Sequence, residues 1–111
     1  MVTEIFKGEN KLIEYELADS AGVGIPFTGI TDATVTLKDF TGNIKIYTKV
    51  SGAIVEGSTP TSIEFEVTET DLDAMDLGLI TSNTEVKTLD SDFASTKAVQ
   101  IRKDEILLIN Q

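Results

Sequence analysis

The sequence predicts one all-β domain, residues 1–111, built as an antiparallel β-sandwich of about seven strands with a short helical turn near residues 69–76. Apolar and polar residues alternate with a period of two in most segments, which indicates strands with one buried face. Turn residues interrupt this alternation about every ten residues, which is typical of a sandwich. A length of 111 residues suits a single two-layer core.

The first predicted strand covers residues 12–17, where apolar side chains alternate with acidic ones. It ends in the segment 19–26, in which Gly22 and Gly24 permit positive φ and Pro26 cannot donate to a central ladder. This segment is therefore expected to form a turn.

Residues 34–38 and 44–50 alternate in the same way and are separated by Thr41-Gly42-Asn43, so they are expected to form a β-hairpin. A short strand at 53–55 follows the next turn. A further strand at 63–67 follows the breaker sequence Gly57-Ser58-Thr59-Pro60.

The helical turn interrupts the strand pattern after residue 67. Thr68 can cap a helix N-terminus, acidic residues crowd the first turn, and Gly78 can close the C-terminus. Two strands are predicted beyond it, at 79–89 and 96–102, with a turn at Asp90-Ser91-Asp92. Residues 106–109 either extend the last strand or form another.

The charge of the chain argues against two classes of partner. Nineteen acidic residues against nine basic ones give a net charge of -10, which repels both phosphate backbones and anionic lipid surfaces. We therefore expect no nucleic-acid partner and no membrane partner. The sequence shows no signal peptide and no apolar run of the roughly 18 residues that span a bilayer.

The chain contains neither cysteine nor histidine. Disulfides, thiolate metal sites, Ser-His-Asp triads and histidine-bound zinc are thereby excluded. Only carboxylates or lysine could carry catalysis, and no nucleophile has a visible base. We predict that the chain is not an enzyme, with no catalytic residues, no cofactor-binding residues, no metal ligands and no cofactor.

Acidic residues in turns raise the alternative of a calcium site. Asp71, Asp73 and Asp76 lie close together, but an EF-hand loop starting at Asp71 would place Asp76 where glycine is needed and Ser82 where glutamate is needed. Aspartate in turns is also expected because it bonds its own backbone. A calcium site assembled from several turns stays open, with these further candidates: Asp19, Asp32, Asp39, Asp90 and Asp92.

Three motifs occur in a fixed order along the chain. Lys7-Gly8-Glu9-Asn10 precedes the first long strand, an Asp-x-x-Gly turn at 19–24 leads to Phe27-Thr28-Gly29, and Val67-Thr68-Glu69-Thr70-Asp71 leads through the helical turn to Gly78. This order resembles the Ig-like β-sandwich modules of tailed-phage baseplates and tail fibres, of the kind found at the N-terminus of baseplate upper proteins. The chain departs from that pattern at Leu79, where tyrosine is frequent, and at Phe27, where leucine is usual.

The resemblance implies a non-catalytic structural module of a phage virion that docks other virion or scaffold proteins through its edge strands and loops. Such modules commonly assemble into trimers or rings around a tail, so the resemblance also implies an oligomeric setting, as a homo-oligomer or with other proteins. It further implies location in a virion assembled in the bacterial host cytoplasm. The alternative hypothesis is a binding module of a bacterial surface or secreted protein that holds carbohydrate or calcium in its inter-strand loops.

Overall fold

The structure, a computed structural model, describes residues 2–18, 21–89 and 96–109, and these form two β-sheets. The five-stranded sheet has the order β1-β8-β7-β3-β4, and the three-stranded sheet has the order β2-β6-β5. The strands are β1 (Val2–Phe6), β2 (Lys11–Glu16), β3 (Ile30–Asp39), β4 (Ile44–Thr48), β5 (Val55–Glu56), β6 (Ser62–Val67), β7 (Gly78–Leu89) and β8 (Thr96–Ile109). An all-β fold is therefore confirmed.

The two sheets face each other across one hydrophobic core. Phe65 of the three-stranded sheet lies at the centre of this core. Its ring centroid is 5.6 Å from that of Tyr15 in the same sheet and 5.0 Å from that of Tyr47 in the five-stranded sheet. The alternation seen in the sequence supplies the inward side chains, because every second residue of a strand faces the same side.

The predicted hairpin is confirmed as β3 and β4, which pair antiparallel with Val35 opposite Tyr47. Gly42 adopts a φ of 100° in the turn between them, a conformation that glycine enters without steric cost. The predicted strands at 12–17, 63–67 and 79–89 correspond to β2, β6 and β7. The predicted strand at 53–55 is instead the two-residue β5, Val55–Glu56.

The N-terminal strand β1 corrects the prediction in two respects. It is an additional strand, which makes eight in the described residues, and it pairs parallel with β8, so the sheet is not wholly antiparallel. Ile5 sits opposite Leu108 in this pairing and is fully buried. The partner strand lies about a hundred residues away in sequence, and periodicity within a window carries no information about such distant pairing.

Strand β8 runs without interruption from Thr96 to Ile109, so residues 106–109 extend the last strand. A register shift opposite Thr84 and Glu85 marks a bulge in its pairing with β7. The predicted turn at Asp90-Ser91-Asp92 lies outside the described residues.

The helical turn is α1, Glu69–Asp73, shorter than the predicted range of 69–76. The Thr68 side chain accepts from the Asp71 backbone N–H, and the Asp71 carboxylate accepts from the Thr68 N–H, which completes a capping box. Leu72 is buried beneath it. The chain then enters β7 at Gly78, whose φ of 123° is incompatible with a helix.

Candidate docking edges

A buried carboxylate joins two segments at one end of the five-stranded sheet. Asp39 is only 3% exposed and accepts hydrogen bonds from the backbone N–H groups of Thr41, Asn43 and Asp76. The Thr41 hydroxyl and the Asn43 side-chain amide also donate to it. Burial alone would raise the pKa of Asp39, but these donors outweigh burial and hold the pKa far below its usual range. This carboxylate fixes the β3–β4 turn against the start of β7.

A second carboxylate connects α1 to β4. Asp71 accepts a hydrogen bond of 2.8 Å from the Tyr47 hydroxyl and forms an ion pair of 3.1 Å with the Lys45 ammonium group. Burial opposes ionisation of Asp71, yet the Tyr47, Thr68 and Lys45 donors lower its pKa. Burial and the adjacent carboxylate raise the pKa of Tyr47, so the phenol stays protonated.

Two glutamates on the outer face of the three-stranded sheet bind the loop 57–61. Glu14 accepts hydrogen bonds from the backbone N–H and the hydroxyl of Ser58, and these two bonds lower the pKa of Glu14. Glu16 accepts from the hydroxyls of Thr59 and Thr61. Both carboxylates therefore have structural partners in the loop.

A polar cluster lies between the sheets beside Tyr15. The Tyr15 hydroxyl donates to Ser82 at 3.0 Å, and the guanidinium carbon of Arg102 lies 4.4 Å from the centroid of the Tyr15 ring. Arg102 makes two bonds of 2.6 Å to Asp104, and this carboxylate raises the pKa of Arg102. The fixed geometry suits a structural ion pair that closes this end of the core.

The structure brings two of the predicted calcium candidates, Asp39 and Asp76, into contact, but among the described residues no third acidic side chain joins them in a metal-binding group. Asp71 belongs to the α1–β4 contact and Asp76 to the Asp39 junction, while Asp32 accepts from the backbone N–H groups of Ala33 and Val50. Within residues 2–18, 21–89 and 96–109, no group of three acidic side chains has metal-binding geometry. Three further candidates lie outside those ranges: Asp19, Asp90 and Asp92.

The β4 strand is an edge of the five-stranded sheet and pairs with β3 on one side. The β3–β4 ladder ends in two backbone hydrogen bonds. The Asp39 N–H donates to the Asn43 carbonyl at one end, and the Lys49 N–H donates to the Ala33 carbonyl at the other. Because hydrogen-bonded residues alternate along an antiparallel pair, the backbone groups of Ile44 and Ile46 face the open edge. Their side chains are each 55% exposed.

The β2 strand is an edge of the three-stranded sheet and pairs with β6 on one side. The Leu17 N–H donates to the Thr61 carbonyl at 2.9 Å, and the same alternation turns the backbone groups of Leu12, Glu14 and Glu16 to the open edge. Leu12 is 58% exposed. Of the four edge strands in the described residues, β1, β2, β4 and β5, the β4 and β2 edges thus combine unpaired backbone groups with exposed aliphatic side chains.

Sequence reasoning named edge strands as the docking elements but did not identify these residues. The alternation around Ile44, Ile46 and Leu12 is the same in an edge strand as in a central one, so no local signal separates the two. Only the strand order assigns the edges.

A shallow groove of about 330 Å³ lies on the outer face of the five-stranded sheet. It is lined by residues of β7 and β8, namely Leu79, Thr81, Asn83, Lys103, Asp104 and Glu105. Its mixed charges and open shape do not select a ligand class.

No protein-family model and no curated protein sequence matches the chain. Among the described residues, no helix has the length and apolar character needed to span a lipid bilayer.

Proposed function

We propose that the chain is a non-catalytic, Ig-like β-sandwich module that docks other proteins in a tailed-phage particle, as a component of the baseplate, tail or fibre. The observation that carries the docking proposal is the β4 edge, where Ile44 and Ile46 combine unpaired backbone groups with exposed aliphatic side chains. Such an edge is the usual template for strand addition by a partner protein.

The strand order supports the Ig-like part of the proposal. In chain order, β2, β3, β4, β5, β6, β7 and β8 correspond to strands B, C, C′, D, E, F and G of a variable-type immunoglobulin domain. The order β8-β7-β3-β4 is then the G-F-C-C′ sheet, and β2-β6-β5 is the B-E-D sheet. The additional strand β1 pairs with β8, the G strand, and so corresponds to a first strand A that pairs with strand G.

The phage setting is supported by the motif order at residues 7–10, 19–29 and 67–78. Asp39, Asp71 and Glu14 all have hydrogen-bond donors from neighbouring segments. These carboxylates therefore have structural roles that suit a scaffold.

Mass spectrometry of purified tailed particles from a host that encodes the chain tests this proposal. We expect its peptides in a fixed ratio to other tail proteins, and antibody labelling of the particles by electron microscopy should fall on the tail or its tip. The amides of Ile44 and Ile46 should exchange rapidly in the isolated chain and slowly in the particle.

Two results would contradict the proposal. One is recovery of the chain from the cell envelope or medium but not from particles. The other is a specific hit on a glycan array, or a calcium-dependent rise in melting temperature, since either would favour the surface-protein alternative.

A further inference from the structure

The β4 and β2 edges present matching sets of unpaired backbone groups. At β4, Ile44 and Ile46 turn N–H and C=O outward, whereas the Thr48 carbonyl already accepts from the Ile54 N–H at 3.1 Å. At β2, Leu12 and Glu14 also turn their N–H and C=O groups outward, whereas the Glu16 carbonyl accepts a hydrogen bond of 3.0 Å from the Arg102 side chain. Each edge therefore offers two residues, two positions apart, that can exchange paired hydrogen bonds with an incoming strand.

The two edges also differ in charge. Residues 38–49 contain Lys38, Lys45 and Lys49 against Asp39, and Asp71 forms an ion pair with Lys45, so this edge has a local net charge of +1 in a chain of -10. The strands β2 and β6 together contain four glutamates and one lysine, a net charge of -3. Glu14 even lies directly opposite Glu64 across the β2–β6 pair, an arrangement that a nearby cation would stabilise.

From these two observations we propose that the β4 edge of one copy pairs antiparallel with the β2 edge of a second copy. The inference rests on the docking function proposed above and names its partner. Pairing Ile46 with Leu12 of the second copy joins two exposed aliphatic side chains. The same register sets Ile44 opposite Glu14 of the second copy, in the row that already contains Lys38.

The pairing joins two different edges, so the first copy keeps its β2 edge free and the second copy keeps its β4 edge free. Such head-to-tail contacts build a closed ring or an open filament, depending on the rotation between copies. Two β4 edges would instead bring lysine-bearing segments together, which like-charge repulsion disfavours.

Cysteine trapping tests the register directly, because the chain has no cysteine of its own. Ile46→Cys and Leu12→Cys proteins, mixed and oxidised mildly, should form the mixed disulfide, since opposed strand residues lie within disulfide range. A mixture of Ile46→Cys with Val55→Cys is the matched control, because Val55 is 47% exposed in β5, at the opposite edge of the three-stranded sheet from Leu12. We expect severalfold more cross-linked dimer in the first mixture.

Ile46→Pro provides a second measurement. The Ile46 N–H faces the open edge, so proline removes a donor that the β3–β4 ladder does not use. Sedimentation velocity should show concentration-dependent association for the wild-type chain and its loss in Ile46→Pro. Ile46→Thr keeps the N–H and should retain part of the association, and melting temperatures check that both variants fold.

A monomeric wild-type chain at all concentrations, or equal cross-linking in the two mixtures, would refute the inference. Predominant Ile46–Ile46 cross-links would replace it with a symmetric dimer. The outcomes also separate the two proposals: a monomer that is nevertheless found in particles leaves the docking function standing, whereas copies that pair but are absent from particles leave only the pairing.

Discussion

At the residue scale, the acidic side chains of this chain divide into those that organise the fold and those that only face water. Asp39 belongs to the first group, with five donors from three residues, Thr41, Asn43 and Asp76, around a buried carboxylate. Asp73 belongs to the second and is exposed at the end of α1. The net charge of -10 is therefore not simply a solubility device.

The substitution Asp39→Asn should destabilise the domain at pH 7 because the amide nitrogen would face N–H donors. The folded pKa of Asp39 is lowered, so its contribution is complete above the unfolded value of about 4 and is lost as the pH falls through the folded value. In the Asp39→Asn variant, the unfolding free energy should therefore depend less steeply on pH below pH 5, because unfolding takes up as much as about one proton fewer. Urea denaturation at several pH values measures it.

The matched control is Asp73→Asn, which should leave stability at pH 7 nearly unchanged because Asp73 is exposed. An Asp39→Asn variant with the wild-type slope would show that the junction does not depend on ionisation.

A second residue-scale prediction concerns the interior of the five-stranded sheet. In the described part of the chain, the Thr84 hydroxyl is buried and has no hydrogen-bond partner, whereas the nearby Ser82 accepts from Tyr15. Thr84→Val should stabilise the domain by about 1 kcal/mol, because it removes an unsatisfied polar group. Ser82→Ala should destabilise by about 1 kcal/mol. Equal losses in the two variants, measured by denaturant titration, would contradict this assignment.

At the element scale, α1 depends on its N-terminal cap more than on its length. A helix of five residues has little intrinsic stability, and Thr68 and Asp71 satisfy each other's backbone donors. The same Asp71 carboxylate contacts Tyr47 and Lys45 of β4. The cap therefore also sets the position of α1 against the edge strand.

Thr68→Ala should lower the unfolding free energy by about 1 kcal/mol, the usual effect of losing a cap. Thr70→Ala, within the same helix but exposed, should be neutral or slightly stabilising because alanine favours helices. Thermal and urea unfolding compare the two variants. A loss at Thr70 as large as that at Thr68 would mean that general packing, not capping, determines the stability of α1.

At the scale of the whole molecule, one core holds both sheets, and Phe65 is its central contact. Its ring touches Tyr15 in its own sheet and Tyr47 in the other. Neither sheet has a separate core among the buried residues of the described chain. The domain is therefore expected to unfold in one cooperative step.

Phe65→Ala should cost about 3–5 kcal/mol, the range for truncating a buried aromatic residue. Phe40→Ala, at a 70% exposed turn position, should change stability by less than about 0.5 kcal/mol. Near-ultraviolet circular dichroism reports on the tyrosines and the far-ultraviolet signal on the strands. Separate transitions for these two signals would contradict a single core.

The sequence by itself determined the all-β class, the β3–β4 hairpin, most strand positions and the capped turn at Thr68. Each of these follows from local chemistry: side-chain alternation, glycine at positive φ, or a cap three residues from its partner. Tertiary structure alone decided that β1 joins β8 in parallel and that β4 and β2 lie at edges of their sheets. It also decided that Asp39 meets Asp76, because contacts between residues far apart in sequence depend on how the sheets pack, and no local pattern encodes that packing.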